Sequence, residues 1–201
     1  METNWLKDTL QFHGETISLL PLSSEHRKDL IEAAADGKLW EIWHTSVPSE
    51  ETVEDYIEQA LSQKSNGSGL PFVVIDSHSN KVIGSTRYCN ADPDNRRLEI
   101  GYTWYAKSHQ RTGVNTECKY LLLKHAFETL NCIAVEFKTN WHNHVSRQAI
   151  ARLGAKQDGV LRNHRLNKDG SFRDTVVFSI IAQEWLNVKK SLEFEMGKQR
   201  F

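Results

Sequence analysis

The stretch that decides the fold of this chain is LEIGYTWYAKSHQRTGVNTECKYLLLKHAFETL, residues 98–130. Its first part, 98–105, is apolar enough to form a strand, and a helix-like pattern of apolar residues follows from about residue 116. Between them, QRTGVNTE at 110–117 predicts a tight turn that leads into a helix N-terminus. Because the first amides of a helix lack carbonyl partners and carry partial positive charge, such a turn favours an anion. Glu99 lies just upstream, so the stretch indicates an enzyme that binds a phosphate-bearing cofactor and moves a proton beside it.

The composition of the whole chain excludes several classes of protein. Its 201 residues fit one domain, 1–201, and a hydrophobic fraction of 39% suffices for a core. A formal net charge of −1 argues against a nucleic-acid partner. The chain has no run of about 18 apolar residues that could span a membrane, and its first residues lack the apolar block of a signal peptide. We therefore expect neither a nucleic-acid nor a membrane partner.

The cysteines indicate a reducing compartment. Cys89, Cys118 and Cys132 are odd in number and widely spaced, and no CxxC pair occurs. A disulfide framework and a zinc site are therefore not expected, and we predict that Cys118 and Cys132 pack in the core. Together with the lack of a signal peptide, reduced cysteines predict a cytoplasmic protein.

The periodicity of apolar residues predicts a mixture of strands and helices without an internal repeat. Strands are expected at 16–20, 72–75, 82–88, 97–105, 133–139, 155–166 and 175–182. Helices are expected at 23–35, 48–63, 116–130, 145–153 and from residue 184 onward. A turn at 167–170 joins the last two strands. This order indicates an α/β (α+β) fold with helices around one central mixed sheet.

Four segments occur in the order found in one known family. They are LEIGY at 98–102, QRTGVNTE at 110–117, NWHNHVS with RLGA within 140–155, and a closing pattern at 158–185. Together they resemble the GNAT acyltransferases, and within them the branch typified by the ribosomal-protein N-terminal acetyltransferases RimJ and RimL, over about residues 14–192. The resemblance implies a mostly antiparallel sheet of six to seven strands, flanked by helices and splayed between its fourth and fifth strands.

The loop departs from the family pattern at one position. A GNAT loop usually ends in Gly-x-Gly or Gly-x-Ala, whereas this chain has Gly113, Val114 and Asn115. A small residue there lets phosphates approach the backbone closely, so the departure concerns the affinity for the cofactor. Because asparagine is favoured at helix N-caps, we expect Asn115 to cap the following helix. Glu117 should point away from the loop, since its carboxylate would repel a phosphate.

The resemblance implies that acetyl-CoA is the cosubstrate and that no metal takes part. The loop would bind the pyrophosphate of acetyl-CoA through consecutive amides and the helix dipole. The loop residues are Gln110, Arg111, Thr112, Gly113, Val114, Asn115 and Thr116. Backbone groups of Thr103, Trp104 and Tyr105 would pair with the pantetheine arm, whereas the side chains of Trp104 and Tyr105 should pack in the core. The alternative for the loop is an ordinary polar connection between a strand and a helix.

Glu99 is the candidate general base. An amine attacks a thioester only in its neutral form, and free amines are mostly protonated near neutral pH. A carboxylate can remove that proton, directly or through a water molecule. The resemblance places an acid of the fourth strand near the acetyl group. The alternative is a solvent-facing strand residue paired with Arg96 or Arg97.

The resemblance also places Asn143 and Ser146 at the cofactor. The amide of Asn143 would bond to the pantetheine arm. The hydroxyl of Ser146 would assist the departing thiolate, because no tyrosine occurs at 140–154 to do so. Alternatively, Asn143 or His144 caps the next helix, with Ser146 in its first turn. The two interpretations are compatible.

Trp40, Trp43 and His44 are the candidate acceptor-binding residues. In the GNAT fold this segment borders the acceptor cleft, where aromatic rings could hold an amine by stacking or cation–π contact. The alternative is core packing at a helix end. His142 and His144 form a His-x-His pair, but no carboxylate or cysteine accompanies them at ligand spacing, so we expect no metal.

These residues together imply an acetyl-CoA-dependent N-acetyltransferase. Its acceptor would be a primary amine, either a protein N-terminus or a small amine. Two alternatives remain: a non-catalytic module that binds or senses acyl-CoA, and a transferase that uses a longer acyl-CoA. The oligomeric state stays open between a monomer and a homodimer.

Overall fold

The computed structural model describes residues 5–6, 9–167 and 169–198. Within these residues, eight strands form one sheet in the spatial order β1-β2-β3-β4-β5-β6-β8-β7. The strands are Phe12–His13 (β1), Ile17–Pro21 (β2), Leu70–Asp76 (β3), Val82–Asp92 (β4), Arg97–Tyr105 (β5), Ala134–Asn140 (β6), Lys156–Leu166 (β7) and Phe172–Ile181 (β8). The α-helices are Arg27–Ala35 (α1), Val53–Ser65 (α2), Val114–Lys124 (α3), His144–Arg152 (α4) and Ala182–Lys198 (α5). Across the described ranges, none of the helices has the length and apolar character of a membrane span.

The sheet is mixed and mostly antiparallel, as predicted. Neighbouring strands run antiparallel except β5 and β6, which are parallel. Their pairing covers only 97–99 on β5 and 134–136 on β6. Beyond these positions the two strands separate, which confirms the splay predicted between the strands at 97–105 and 133–139. The sheet exceeds the predicted six to seven strands because the two-residue β1 is too short to show a period in the sequence.

Two apolar cores lie on opposite faces of the sheet. Leu98 and Ile100 of β5 pack in the core that contains the buried side of α3. Trp104 of the same strand packs in the core formed with α1 and α2. Because side chains alternate along a strand, Glu99 points toward the face of α1 and α2.

A β-bulge at Tyr102 interrupts the alternation along β5. Tyr102 has a φ of 51°, in the left-handed region that residues other than glycine rarely adopt. The register with β4 shifts between the Ser85–Trp104 pair and the Arg87–Gly101 pair. The guanidinium of Arg87 is buried and packs over the Tyr102 ring at 4.1 Å. The extra residue therefore bends β5 just after the point where it leaves β6.

Several element boundaries differ from the prediction by a few residues. The helix expected from about 116 begins at Val114 and passes into a π-helical turn at His125–Thr129. The helix expected from 48 begins at Val53, because the Ser49 amide donates to the Thr52 hydroxyl at 2.9 Å and closes a turn first. Part of the predicted turn at 167–170 cannot be compared, since residue 168 lies outside the described residues.

The three cysteines are free thiols and all are buried. Cys118 and Cys132 belong to the larger apolar core, which confirms the prediction that they pack there. Burial raises the pKa of Cys89 and of Cys132 to about 12 in each case. Thiols held in this way are poor nucleophiles at neutral pH, since the thiolate is the reactive form.

Candidate active site

A tight loop at 110–116 joins the end of β5 to α3. A 3-10 turn at Lys107–His109 comes first, and Arg111 then has a left-handed backbone with a φ of 61°. Gly113 follows with helical angles and occupies the N-cap position of α3. Left-handed and right-handed residues in succession turn neighbouring amides toward one point, which suits an anion. We call residues 110–116 the amide loop.

The prediction that Asn115 caps α3 is wrong. Asn115 is the second residue of the helix, and the hydroxyl of Thr112 accepts a hydrogen bond from the Val114 amide at 3.3 Å. The same hydroxyl donates to the His109 carbonyl at 2.7 Å, which closes the loop. In the first turn, the amides of Asn115 and Thr116 have no carbonyl partner within the helix. Two donors therefore stay available at the positive end of α3.

Glu117 also lies in the first turn of α3, but its carboxylate is turned away from the amide loop, as expected. It accepts a hydrogen bond from the Thr16 amide at 3.1 Å, and further bonds from the Thr16 hydroxyl and the Glu15 amide. A Cβ at Gly14 would lie 2.5 Å from Oε1 of Glu117, so the turn between β1 and β2 fits closely around the carboxylate. This arrangement keeps the negative charge away from the proposed anion site.

Beyond residue 99, β5 has an open edge. The strand keeps β4 on one side, but within the described residues Thr103, Trp104 and Tyr105 have no strand partner on the β6 side. The side chains of Trp104 and Tyr105 are each 7% exposed, as expected for packing in the core. Gln110 Nε2 donates to the Tyr105 carbonyl at 2.9 Å and ties the amide loop to the strand end. An extended chain could pair with this edge as an added strand.

Lys119 of α3 is a buried cation that sequence analysis missed. Its Nζ atom donates to the Thr86 hydroxyl at 3.2 Å and to the Thr103 hydroxyl, and the two hydroxyls are 2.8 Å apart. Burial lowers the pKa of Lys119. No carboxylate within the described residues forms an ion pair with it. A lysine in a mostly apolar helix carries no sequence signal that it faces inward.

Glu99 is buried on the face of α1 and α2. Its Oε2 atom accepts a hydrogen bond from Asn90 Nδ2 at 2.8 Å and lies 3.1 Å from Nζ of Lys138. A Cβ at Gly101 would lie 3.1 Å from Oε1 of Glu99, so the glycine leaves room for the carboxylate. The carboxylate is therefore fixed in place at the point where β5 and β6 separate.

Glu99 belongs to a chain of ion pairs across β5 and β6. Nζ of Lys138 contacts Glu99 and also lies 2.9 Å from Oε2 of Glu136. On the other side of Glu136, Oε1 lies 2.5 Å from Nη2 of Arg97. Arg97 thus pairs with Glu136, and Glu99 is not the solvent-facing partner of an arginine. Burial lowers the pKa of Lys138, but the hydrogen bonds and charges of Glu136 and Glu99 outweigh it and raise the pKa overall.

Asn143 is the N-cap of α4. Its side-chain oxygen accepts a hydrogen bond from the Ser146 amide at 3.0 Å. This geometry matches the capping interpretation, with Ser146 half-buried in the first turn. No hydrogen bond between described residues joins Ser146 to Glu99. The two catalytic candidates are thus separate groups, one on β5 and one after the end of β6.

Trp43 and His44 lie beside His142, which follows β6. The Trp43 ring centroid is 5.3 Å from that of His44 and 5.8 Å from that of His142. Trp43 is 62% exposed and Trp40 is 36% exposed, so core packing does not describe Trp43. Nδ1 of His44 is buried without a hydrogen-bond partner in the described part of the chain. Burial lowers the pKa of His44, and the charge of His142 lowers it further.

Arg173 of β8 is a second cation that sequence analysis missed. It is half-buried and stands opposite Arg165 of β7 in the strand ladder. Burial lowers the pKa of Arg173 and the charge of Arg165 lowers it further, whereas Tyr102 and Glu99 raise it. Arg173 is therefore close enough to Glu99 for their charges to interact. We call Glu99, Lys138, Arg165 and Arg173 the charged face.

The arrangement provides three distinct chemical capabilities. The amide loop can bind an anion, the open edge of β5 can pair with an extended chain, and Glu99 can accept a proton. No group of three or more histidine, cysteine, aspartate or glutamate side chains in the described ranges could hold a metal ion.

Residues 16–156 match a family model described as an acetyltransferase (GNAT) domain. The uncharacterized N-acetyltransferase p20 of Bacillus licheniformis is 28% identical over 131 residues, which are 65% of this chain and 72% of that relative. The family match includes the amide loop, β5 and the start of α4.

Solved structures share the fold over most of the chain. A GCN5-related N-acetyltransferase from Brucella melitensis has a TM-score of 0.81 at 28% identity, and the match covers 93% of this chain and 85% of the other. RimJ of Mycobacterium smegmatis, in complex with CoA-disulfide, has a TM-score of 0.73 at 22% identity, with coverages of 89% and 88%. At that lower identity, the likeness to RimJ shows the fold alone.

Proposed function

The chain belongs to the GNAT acetyltransferases, and we propose that it transfers the acetyl group of acetyl-CoA directly to a primary amine. The observation that carries the proposal is the amide loop at the N-terminus of α3, placed beside the open edge of β5. Bound acetyl-CoA supplies an activated thioester. The residues of the chain bind it, orient it and remove a proton from the acceptor.

The amide loop binds the pyrophosphate of the donor. Amides of the first helical turn, including those of Asn115 and Thr116, donate to phosphate oxygens, and the dipole of α3 adds to the attraction. Arg111 can add a charge-assisted hydrogen bond. The main chain at 103–105 pairs with the pantetheine arm as a strand would, and so directs the thioester toward the bulge at Tyr102.

Glu99 accepts the proton of the acceptor amine, directly or through a water molecule. The neutral nitrogen then forms a bond to the acetyl carbon, the bond from that carbon to sulfur breaks, and the second proton that the nitrogen releases passes to the departing thiolate. Asn90 and Lys138 hold the Glu99 carboxylate in one orientation, and the bulge bends β5 immediately after it. These contacts support the role because a general base must lie in a fixed position beside the reacting amine.

Asn143 and Ser146 complete the donor site. The N-terminus of α4 presents both residues just after β6, on the far side of the gap from β5. Asn143 uses its side-chain oxygen as the cap, which leaves its NH2 group for a pantetheine carbonyl. The Ser146 hydroxyl donates a hydrogen bond to the departing thiolate.

The acceptor enters beside the exposed rings of Trp43 and Trp40, with the His44 ring in edge-to-face contact with Trp43. The acceptor is a protein N-terminus or a small amine, and the four ordered sequence segments that resemble the RimJ/RimL branch support the N-terminus. Trp43 can cover a bound amine because its ring is 62% exposed and contacts only the neighbouring imidazoles in the described ring pairs.

Thiol release tests this function. The purified protein is mixed with either acetyl-CoA or succinyl-CoA and a panel of small amines and N-terminal peptides, and free CoA is measured. Calorimetry with CoA is run in parallel. We expect heat of binding and thiol release with at least one class of amine. Binding without release from acetyl-CoA would favour a sensing module, and release only from succinyl-CoA would favour a longer acyl donor. No heat with CoA or its acyl forms would contradict the donor site.

A further inference from the structure

We propose that the acceptor amine also carries an anionic oxygen group, a carboxylate or a phosphate, which Arg173 and Arg165 bind. The inference rests on the proposed function, because it names the class of amine that the same site accepts. It would place the amine at Glu99 and the anion at the two arginines.

The two arginines stand in an arrangement that is unfavourable by itself. Arg165 and Arg173 are direct partners in the β7–β8 ladder. Like charges directly opposite one another destabilise a sheet. Nε of Arg173 is buried and has no hydrogen-bond partner within the described residues. An anion between the two guanidinium groups would offset the repulsion and give the Arg173 guanidinium a charge-assisted partner.

The nearby carboxylates are already committed to other cations. Glu136 pairs with Arg97 and Lys138, and Glu99 pairs with Lys138. Asp174, adjacent to Arg173 in the sequence, pairs with Arg162 of β7. Among the described residues, no ion pair joins Arg165 or Arg173 to a carboxylate.

Because the carboxylates pair with other cations, the charged face carries an excess of positive charge at Arg165 and Arg173. The four charges of Arg97, Glu136, Lys138 and Glu99 cancel, so the two arginines determine the net charge of the charged face. A guanidinium group presents planar, paired donors that match a carboxylate or a phosphate. A polycationic acceptor would place further ammonium groups against the same arginines and be repelled.

The electrostatic contacts of Arg173 connect it to both ends of the proposed acceptor site. Tyr102 and Glu99 act on its charge, and its own charge acts on His44. Nδ1 of His164 on β7 lies 3.1 Å from Oγ1 of Thr175 on β8. Thr175 is two residues from Arg173 on the same strand, so these side chains share one face of the sheet. An amine at Glu99 and an anion at Arg173 would thus occupy one continuous surface.

The test uses matched pairs of acceptors that differ only in the anion. The pairs are β-alanine with β-alaninamide, 2-aminoethyl phosphate with 2-aminoethanol, and a hexapeptide with Asp or Asn at its second position. Thiol release from acetyl-CoA gives kcat/KM for each. We expect the anionic member of at least one pair to exceed its neutral partner by about tenfold or more, as a charge-assisted pair provides. The pair that responds identifies the source of the anion.

Variants then assign the effect to the arginines. Arg173→Gln should remove most of the preference, with the loss in KM and little change toward the neutral member. Arg165→Gln should act in the same direction, and Arg173→Lys should restore part of the preference. Lys156→Gln is the matched control, because it removes an exposed β7 cation that pairs with Glu184 at the other end of the hairpin. The control should keep the preference.

The outcomes separate this inference from the proposed function. Thiol release with equal kcat/KM for both members of every pair would overturn the anion site and leave the transferase intact. An equal loss toward neutral and anionic members in Arg173→Gln would also overturn it. No thiol release with any amine would contradict the proposed function, and the anion site with it.

Discussion

The amide loop and the charged face contrast in how they are built. The loop spans seven consecutive residues, 110–116, and offers main-chain amides at the start of α3. The charged face draws Glu99 from β5, Lys138 from β6, Arg165 from β7 and Arg173 from β8. In the loop, backbone shape provides the chemistry, whereas on the charged face individual side chains provide it. The loop should therefore tolerate side-chain changes that preserve its shape and add no negative charge, and the charged face should not.

The largest effect is expected from Glu99→Gln. Loss of the proposed base should lower kcat by about 100-fold, the range of general base catalysis, because the amide cannot take the amine proton. Affinity for CoA by calorimetry should stay within about twofold of the parent value, since Glu99 lies away from the amide loop.

Glu136→Gln provides the matched control. It removes a second carboxylate that contacts Lys138 but lies on β6 rather than at the bend of β5. Its kcat should fall by less than about threefold. Similar losses in the two variants would assign the effect to Lys138 or to the ion-pair chain and contradict the role of Glu99 as the base.

Gly113→Asp should affect the stability of the protein and its affinity for CoA in different ways. Aspartate is a favoured N-cap and suits the helix dipole, so the free energy of unfolding should stay constant or rise by a few tenths of a kcal/mol. Its charge should repel the pyrophosphate and weaken CoA binding by about tenfold or more, measured by calorimetry.

Gly113→Asn tests the same position without the charge. It is close in size and is also a favoured N-cap, so CoA affinity should fall much less than in the aspartate variant. Equal weakening by both substitutions would mean that the side chain obstructs the loop, and the electrostatic account of anion binding would be wrong.

Lys119→Met should stabilise the protein. The substitution removes a buried ammonium, and the hydroxyls of Thr86 and Thr103 can still bond to each other across 2.8 Å. We expect the free energy of unfolding to rise by about 1–2 kcal/mol in urea denaturation, since burying a charge without a carboxylate is unfavourable.

The pH dependence of the free energy of unfolding provides a second test of Lys119. Because its folded pKa is lowered, the unfolded chain binds the extra proton at alkaline pH, and the stability of the parent should rise as pH increases toward the unfolded value of 10.5. That rise should shrink in Lys119→Met. A lower stability at pH 7, with an unchanged alkaline rise, would show that Lys119 contributes favourably where it lies.

The smallest effect is expected from His44→Gln. Since burial and neighbouring cations lower its folded pKa, His44 contributes stability that is complete above the unfolded value of 6.5 and is lost as pH falls through the lowered folded pKa. The variant should lose stability less steeply over that interval, by below about 1 kcal/mol because the ring is partly solvated. Thermal unfolding at a series of pH values measures this.

His78→Gln is the comparison for that experiment. His78 is an exposed histidine that follows β3, away from the charged face. Its pH profile should follow the parent. If His44→Gln and His78→Gln gave the same profile, the electrostatic link between His44 and the cations beside it would be contradicted.

Features that depend on neighbouring residues could be predicted from the amino-acid pattern. The apolar run at 97–105, the turn after it and the apolar pattern of the next helix could be read directly, because strand, turn and helix each have a local period or residue preference. The resemblance of four ordered segments to the GNAT acyltransferases predicted the sheet, the splay between two of its strands and the family. The turn before α3 was predicted, but the helix begins at Val114 rather than at about 116. Asn115 is therefore inside the helix, and the Thr112 hydroxyl accepts a hydrogen bond from the Val114 amide.

Features that depend on strand register are set by contacts between distant segments and had no local signal. Lys138 lies in no motif, and Arg173 lies in the closing pattern at 158–185 without a role that the pattern assigns. Both lie on the Glu99 face because β6 and β8 pair in one particular alignment. A shift of one residue would turn each of these side chains to the opposite face. The bulge at Tyr102 and the burial of Lys119 likewise arise from contacts between distant segments. The local backbone could therefore be predicted from the sequence, while the charges around the proposed acceptor site are set by long-range packing.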